Sequence, residues 1–157
     1  MNRFTATNTS EAVVPADRAA IWAVLTDPVM LPKLTPFLRH ITADGDIWRW
    51  ELSNIPVLGA AITPCFTERM VFQELERIDF SHEPPAGKHE HTGASGWYVL
   101  EDVEGGTHLA ISLTLHAELP LPRALNRAVT RVMKGVMERM GDRFAVNLLR
   151  HLGVPAA

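Results

Sequence analysis

Three ionisable side chains sit on strand-like faces that are otherwise apolar. Glu68 falls between Phe66 and Met70 in CFTERMVFQEL, His82 follows Ile78 and Phe80 in RIDFSH, and Tyr98, the single tyrosine, lies in ASGWYVLED. Alternate residues of a strand share a face, so each of the three points where its apolar neighbours point. A carboxyl withdrawn from water has its pKa raised, and beside an imidazole it can serve as general acid or base. A buried phenol brings a hydroxyl that needs a partner. Such a set suffices for a cyclisation or a dehydration. The same parity is met at solvated strand ends, where Glu68 and His82 would do no chemistry, and the usual exposure of charged residues favours that rim reading. No residue is therefore assigned as catalytic.

A second cluster, HEPPAGKHEHT, holds His82, Glu83, His89, Glu90 and His91. A His-x-His pair with carboxylates beside it has the donors for a divalent cation. Its spacing matches no standard zinc pattern, and Pro-Pro with a glycine reads as a loop, so neither metal nor cofactor is expected. Cys65 has no base near it in sequence and reads as a small buried residue rather than a nucleophile. Gly-x-Ser-x-Gly, phosphate-loop and dinucleotide fingerprints are absent from the sequence.

The elements that must carry these groups follow from periodicity. At 157 residues, with 46% hydrophobic and 21% charged residues, the chain reads as one domain over 1–157, with 1–2 and 153–157 loosely ordered. A formal net charge of -3 offers no global attraction to nucleic acid. One cysteine, no apolar run of bilayer length and no signal-peptide core place the protein in the cytoplasm. Residues 3–14 read as a first strand. ADRAAIWAVL and a short segment after Thr26-Asp27-Pro28 read as two helices, with Asp27 or Thr26 as cap. Period-two alternation then begins. FLRHITA and DIWRWEL flank Asp44-Gly45, a hairpin signal. CFTERMVFQEL, RIDFSH, ASGWYVLED and THLAISLTLHA follow, the last with Leu109, Ile111, Leu113 and Leu115 on one face and His108, Ser112, Thr114 and His116 on the other. That is an antiparallel sheet with one dry and one wet face. From Leu125 to about Leu152 apolar residues recur every three or four positions, giving a helix roughly 45 Å long.

One strand, two short helices, six antiparallel strands and a long last helix is an order that resembles the START-like helix-grip (SRPBCC) superfamily of pollen allergens, lipid-transfer domains and polyketide cyclases. VVPADRAAIWAVLTDP, the GWYVLEDVEGGTHLAISLTL hairpin and the closing helix carry the likeness. The resemblance implies an α+β helix-grip fold, in which a curved seven-stranded antiparallel sheet grips the terminal helix and encloses a cavity for an apolar ligand. It implies no reaction.

An empty cavity of about 300 Å³, small for a ligand pocket, would cost roughly 7 kcal/mol, a large part of an ordinary domain's stability. Such a space must be narrowed by large side chains or occupied. Trp48 and Trp50, two apart in GDIWRWELS, either wall it or fill the core. Further wall candidates are Phe66, Glu68, Met70 and Phe72, then Phe80 and His82, then Tyr98 and Leu100. The last pair is preferred over Trp97 and Val99 because the resembled family points an aromatic and a leucine inward there. On the terminal helix Met133, Met137 and Met140 form a deformable cover or plain core. NIPVLGAAITPC (54–65) is a gate, a contact surface or, first in preference, an extension of the flanking strands. The arginine-rich face of the last helix is either solvated or in peripheral contact with anionic lipid. The leading function is binding or carriage of a hydrophobic small molecule: a lipid, an acyl chain or an aromatic polyketide-like compound. The alternatives are a polyketide cyclase or dehydratase acting through Glu68, His82 and Tyr98, and a ligand-free protein-interaction module with a solid core.

Overall fold

The computed structural model describes residues 1–154. Thirteen residues, Asn2–Val14, form the first strand, β1. Two short helices follow, α1 (Arg18–Leu25) and α2 (Met30–Leu34). Of the two cap candidates it is Asp27 that stands before the second helix, which begins at Met30, two residues beyond Pro28: its Oδ1 accepts from the backbone N–H groups of Val29 (2.9 Å) and Met30 (3.1 Å). Strands β2 (Leu38–Asp44) and β3 (Ile47–Leu52) form the hairpin announced by Asp44-Gly45. Two three-residue strands, β4 (Ile55–Val57) and β5 (Ala60–Ile62), come next, then β6 (Cys65–Gln73), β7 (Arg77–His82), β8 (Thr92–Val103) and β9 (Gly106–Leu119). The chain ends its described part in α3, Asn126–Leu152.

Seven strands make one antiparallel sheet in the order β1-β9-β8-β7-β6-β3-β2. β1 runs along β9 for its whole length, from Asn2↔Leu119 to Val14↔Thr107, so Asn2, expected to be loosely ordered, is already in the ladder. Residues 155–157, part of the other expected loose end, lie outside the described residues. The dry face is continuous across the ladders: Trp50↔Phe66, Met70↔Phe80, Phe72↔Ile78, Ile78↔Tyr98 and Tyr98↔Ile111 each place apolar or aromatic residues side by side. Partners in register point the same way, so one hydrophobic surface forms without any long-range design beyond parity.

This surface is covered by α3 and the α1–α2 pair. Val129, Met133, Met137 and Leu148 of α3 are buried, and the Asn147 Nδ2 donates to Leu34 O at 2.9 Å, pinning the helix's second half to α2. Ile21, Val24 and Leu25 bury α1 against the sheet's other end, where Trp22 meets Phe72 edge-on at 6.3 Å.

The segment 54–65 does not extend its neighbours. β4 and β5 pair only with each other, as a separate two-stranded hairpin joined by Leu58-Gly59. Its base is tied by Asn54 Nδ2 donating to Thr63 Oγ1 at 3.0 Å. The physical reason is the break on both sides: β3 stops at Leu52, whose N–H bonds Pro64 O, and proline cannot donate to a continued ladder.

Candidate functional site

The inner face is lined from one end by touching aromatics. Phe72 lies 5.9 Å from Trp48, Trp48 lies 6.0 Å from Trp50, and Trp50 stacks on Phe66 at 6.5 Å and 15°. Both indoles of GDIWRWELS therefore face the interior, Trp48 fully buried and Trp50 half-buried. Phe80 and Tyr98 meet at 5.5 Å. The sixth strand of the large sheet (β8) turns Tyr98 and Leu100 inward and Trp97 outward, where the Arg77 guanidinium covers the indole at 5.3 Å.

Glu68 is set among these aromatics. Its register partners are Trp48 on β3 and His82 on β7, and it is 2% exposed. Its Oε2 has no hydrogen-bond partner among the described residues, and neither has the indole Nε1 of Trp50. Burial pushes the Glu68 carboxyl well above the ordinary value of 4.5, and the nearby Trp50 N–H dipole opposes the shift without reaching bonding geometry. The phenol of Tyr98 is raised too, first by burial and then by the charge of Glu68, which puts the two groups in one interior. A neutral carboxylic acid in apolar surroundings can donate a proton or a hydrogen bond to a carbonyl.

His82 does not join them. Its Nε2 lies 2.9 Å from Glu90 Oε1, and Glu90 also accepts from the Thr67 N–H and hydroxyl at 2.8 Å each. The imidazole stands edge-on to His116 at 4.9 Å. The β7–β8 ladder ends at Phe80↔Gly96, so His82, paired with Glu68 on β6, has no ladder partner on β8. Gly93 leaves the space: a Cβ on it would lie 2.3 Å from His116 Cε1 and 2.5 Å from the His82 ring. Glu68 is buried, which corrects the preferred rim reading for it; in the alternative Glu68–His82 acid–base pair the two are register partners, but the imidazole bonds Glu90.

The cavity lies beyond Phe66, between the β4–β5 hairpin, the paired ends of β8 and β9, and α3. It has a volume of about 70 Å³ and is lined by Leu52, Ile55, Val57, Ile62, Pro64, Phe66, Thr92, Gly93, Leu115, His116, Ala117, Leu119, Val132, Met133, Val136 and Met140. Of the residues singled out from sequence, Phe66, Met133 and Met140 line it. Trp48, Trp50, Met70, Phe72, Phe80, Tyr98, Leu100 and Met137 pack in the core or against it, Glu68 is buried on β6, and His82 lies at the β7 end. Sequence reasoning missed the hairpin contribution of Ile55, Val57 and Ile62, although the apolar run NIPVLGAAITPC was the available signal. His116 was assigned to the wet face. It is half-buried among the lining residues, its Nε2 is buried without a partner among the described residues, and burial first, then Arg3 and His82, lower its pKa. Cys65 is half-buried at the start of β6.

A curved antiparallel sheet wrapped against a long terminal helix, with an apolar cavity where they part, defines the START-like helix-grip class. The chain belongs to the family described as polyketide cyclase / dehydrase and lipid transport, whose profile matches residues 5–148. Solved structures agree with this fold. A START superfamily protein from Mycobacterium smegmatis is similar at TM-score 0.64 and 15% identity, over 93% of this chain and 97% of that one. The Zhui aromatase/cyclase from a Streptomyces species gives 0.64 and 14%, over 96% and 93%. A Deinococcus radiodurans protein gives 0.56 and 21%, over 87% and 98%. A search of curated proteins finds no match. No described helix is long and apolar enough to cross a membrane.

Proposed function

We propose that the protein binds and carries a hydrophobic small molecule, taken up between the β4–β5 hairpin, the sheet and the first half of α3. The observation that carries this reading is the partly open cavity with an almost wholly aliphatic and aromatic lining. Its volume of about 70 Å³ is below the usual size of a ligand pocket, so a guest enters by displacing the hairpin and the thioether chains of Met133 and Met140. Phe66 forms part of the wall and is backed by the Trp50 indole stacked on it. A lipid, an acyl chain or an aromatic polyketide-like compound offers matching surface. The single cysteine supports a cytoplasmic setting.

Native mass spectrometry of the purified protein, with titration of a fatty acid and an anilinonaphthalene fluorophore, tests the proposal. One bound guest per chain is expected, with Trp fluorescence changing on binding. Val136→Phe, which adds volume to the cavity wall, weakens binding about tenfold or more while circular dichroism stays unchanged. Absence of any guest and of binding by both probes would overturn the reading.

Glu68 favours a second reading, an enzyme of the cyclase or dehydratase type. Its buried, unpartnered carboxyl has the properties of a general acid. On polyketide-like carbonyl substrates Glu68→Gln then abolishes turnover and leaves binding intact; retained turnover removes this reading.

A further inference from the structure

Outside the lining of the cavity, the His89-x-His91 pair meets a carboxylate from a distant strand, Glu118. His89 Nε2 lies 2.8 Å, and His91 Nδ1 3.1 Å, from one and the same oxygen, Oε2 of Glu118. One donor atom from each residue lies within 4.8 Å of the others. The two imidazoles are 4.9 Å apart and nearly perpendicular, at 82°. Backbone fixes two of the three: the Glu118 N–H donates to His91 O at 2.8 Å, which carries the β8–β9 ladder one residue past Thr92↔Ala117. His89 and His91 are 65% and 61% exposed at the side chain and Glu118 is 20% exposed, so the cluster has a protein side and a water side.

We propose that His89, His91 and Glu118 form a binding site for one divalent transition-metal ion of the Zn²⁺ type, with a coordination position open to solvent. Metal–nitrogen and metal–oxygen bonds of about 2.0–2.2 Å in tetrahedral array separate the donors by about 3.3 Å. The nitrogen–oxygen separations of 2.8 and 3.1 Å need widening by a few tenths of an ångström, and the two nitrogens, within 4.8 Å of each other, must come to the same spacing; the two exposed imidazoles accommodate both by rotating while Glu118 stays anchored. Two imidazoles and one carboxylate suit Zn²⁺, Ni²⁺ or Cu²⁺, whereas Mg²⁺ and Ca²⁺ take oxygen donors. The cation takes the lone pair of each imidazole at the nitrogen that now faces the carboxylate, and the ring proton moves to the other nitrogen of the same ring. Arg3, the register partner of Glu118, forms no ion pair with it among the described residues, so the carboxylate is engaged by the imidazoles alone. The site closes the 83–91 loop onto β9.

Isothermal titration of zinc into untagged, metal-stripped protein tests this. One equivalent is expected to bind, and magnesium to bind not at all. His89→Ala and Glu118→Gln each lower zinc affinity about tenfold or more. His40→Ala, His151→Ala and Cys65→Ser leave it unchanged, and long-range proton–nitrogen spectra show attachment through His89 Nε2 and His91 Nδ1. Zinc binding that survives both ligand variants, binding that depends on Cys65 or His151, equal binding of magnesium, or no binding would overturn the proposal. His89 and His91 are exposed, so circular dichroism of the His89→Ala variant is expected to match the parent and to keep these outcomes interpretable.

Discussion

Glu68 shows how parity and depth separate at the level of one residue. Its facing was legible from Phe66 and Met70 on either side; its complete burial was not, because β3 and β7 had to flank β6 before water was excluded. The consequence is a pH-dependent stability. A carboxyl whose pKa rises on folding holds its proton more tightly in the native state, so between 4.5 and that raised value the native chain carries the extra proton and stability falls as pH increases. Below 4.5 both states are protonated and the effect vanishes. Glu68→Gln has no proton to lose. Its stability relative to the parent is expected to grow from pH 4.5 upward, by at most about 1.4 kcal/mol per pH unit. Thermal melts across that window measure the slope, and a constant difference would mean a solvated carboxyl. Gly93 is a second case. Its role is space rather than backbone conformation, since a methyl there meets both His116 and His82. Gly93→Ala is expected to cost about 1–3 kcal/mol, read from urea denaturation.

The β4–β5 hairpin is the element on which the binding proposal turns. It lies outside the large sheet and contributes Ile55, Val57 and Ile62 to the cavity. Its two-residue loop holds Leu58 at φ 49° and Gly59 at φ 83°. Both are left-handed, as a type I′ turn requires, but leucine is a poor occupant of that region and is 45% exposed besides. Leu58→Asn restores the favoured Asn-Gly pair and is expected to stabilise the hairpin by about 1 kcal/mol. Hydrogen exchange of the Val57 and Ala60 amides, slowed about fivefold, checks it. If the hairpin admits a guest, the same variant also slows ligand association. The turn was not legible from the sequence, because Leu-Gly inside an apolar run reads as strand, and only the isolation of β4 and β5 from the sheet reveals it.

For the molecule as a whole, the size of the hollow decides what an empty state costs. At about 24 cal/mol per Å³ a volume of 70 Å³ costs about 1.7 kcal/mol, which an ordinary domain tolerates without a resident ligand. A guest is therefore expected to add stability rather than to be required for folding. At a free concentration one hundred times its Kd it contributes about 2.7 kcal/mol, which for a domain of this size raises Tm by about 5–11 °C. Thermal shift against a series of acyl chains and fused aromatics ranks the candidates, and a flat response across both classes would count against carriage of either.

The sequence by itself determined the order of elements, the dry face of each strand and the apolar stripe of α3, because periods of two and of three to four are local consequences of backbone geometry. It also contained Trp48 and Trp50 as interior residues, since two tryptophans on one strand face have no stable place in water. Tertiary structure alone decided where the sheet and helix part, that His82 turns to Glu90 instead of Glu68, and that Glu118 reaches His89 and His91 from 27 and more residues away. Those outcomes depend on where ladders stop and how strands curve. Such properties belong to the assembled sheet, and no single strand carries them.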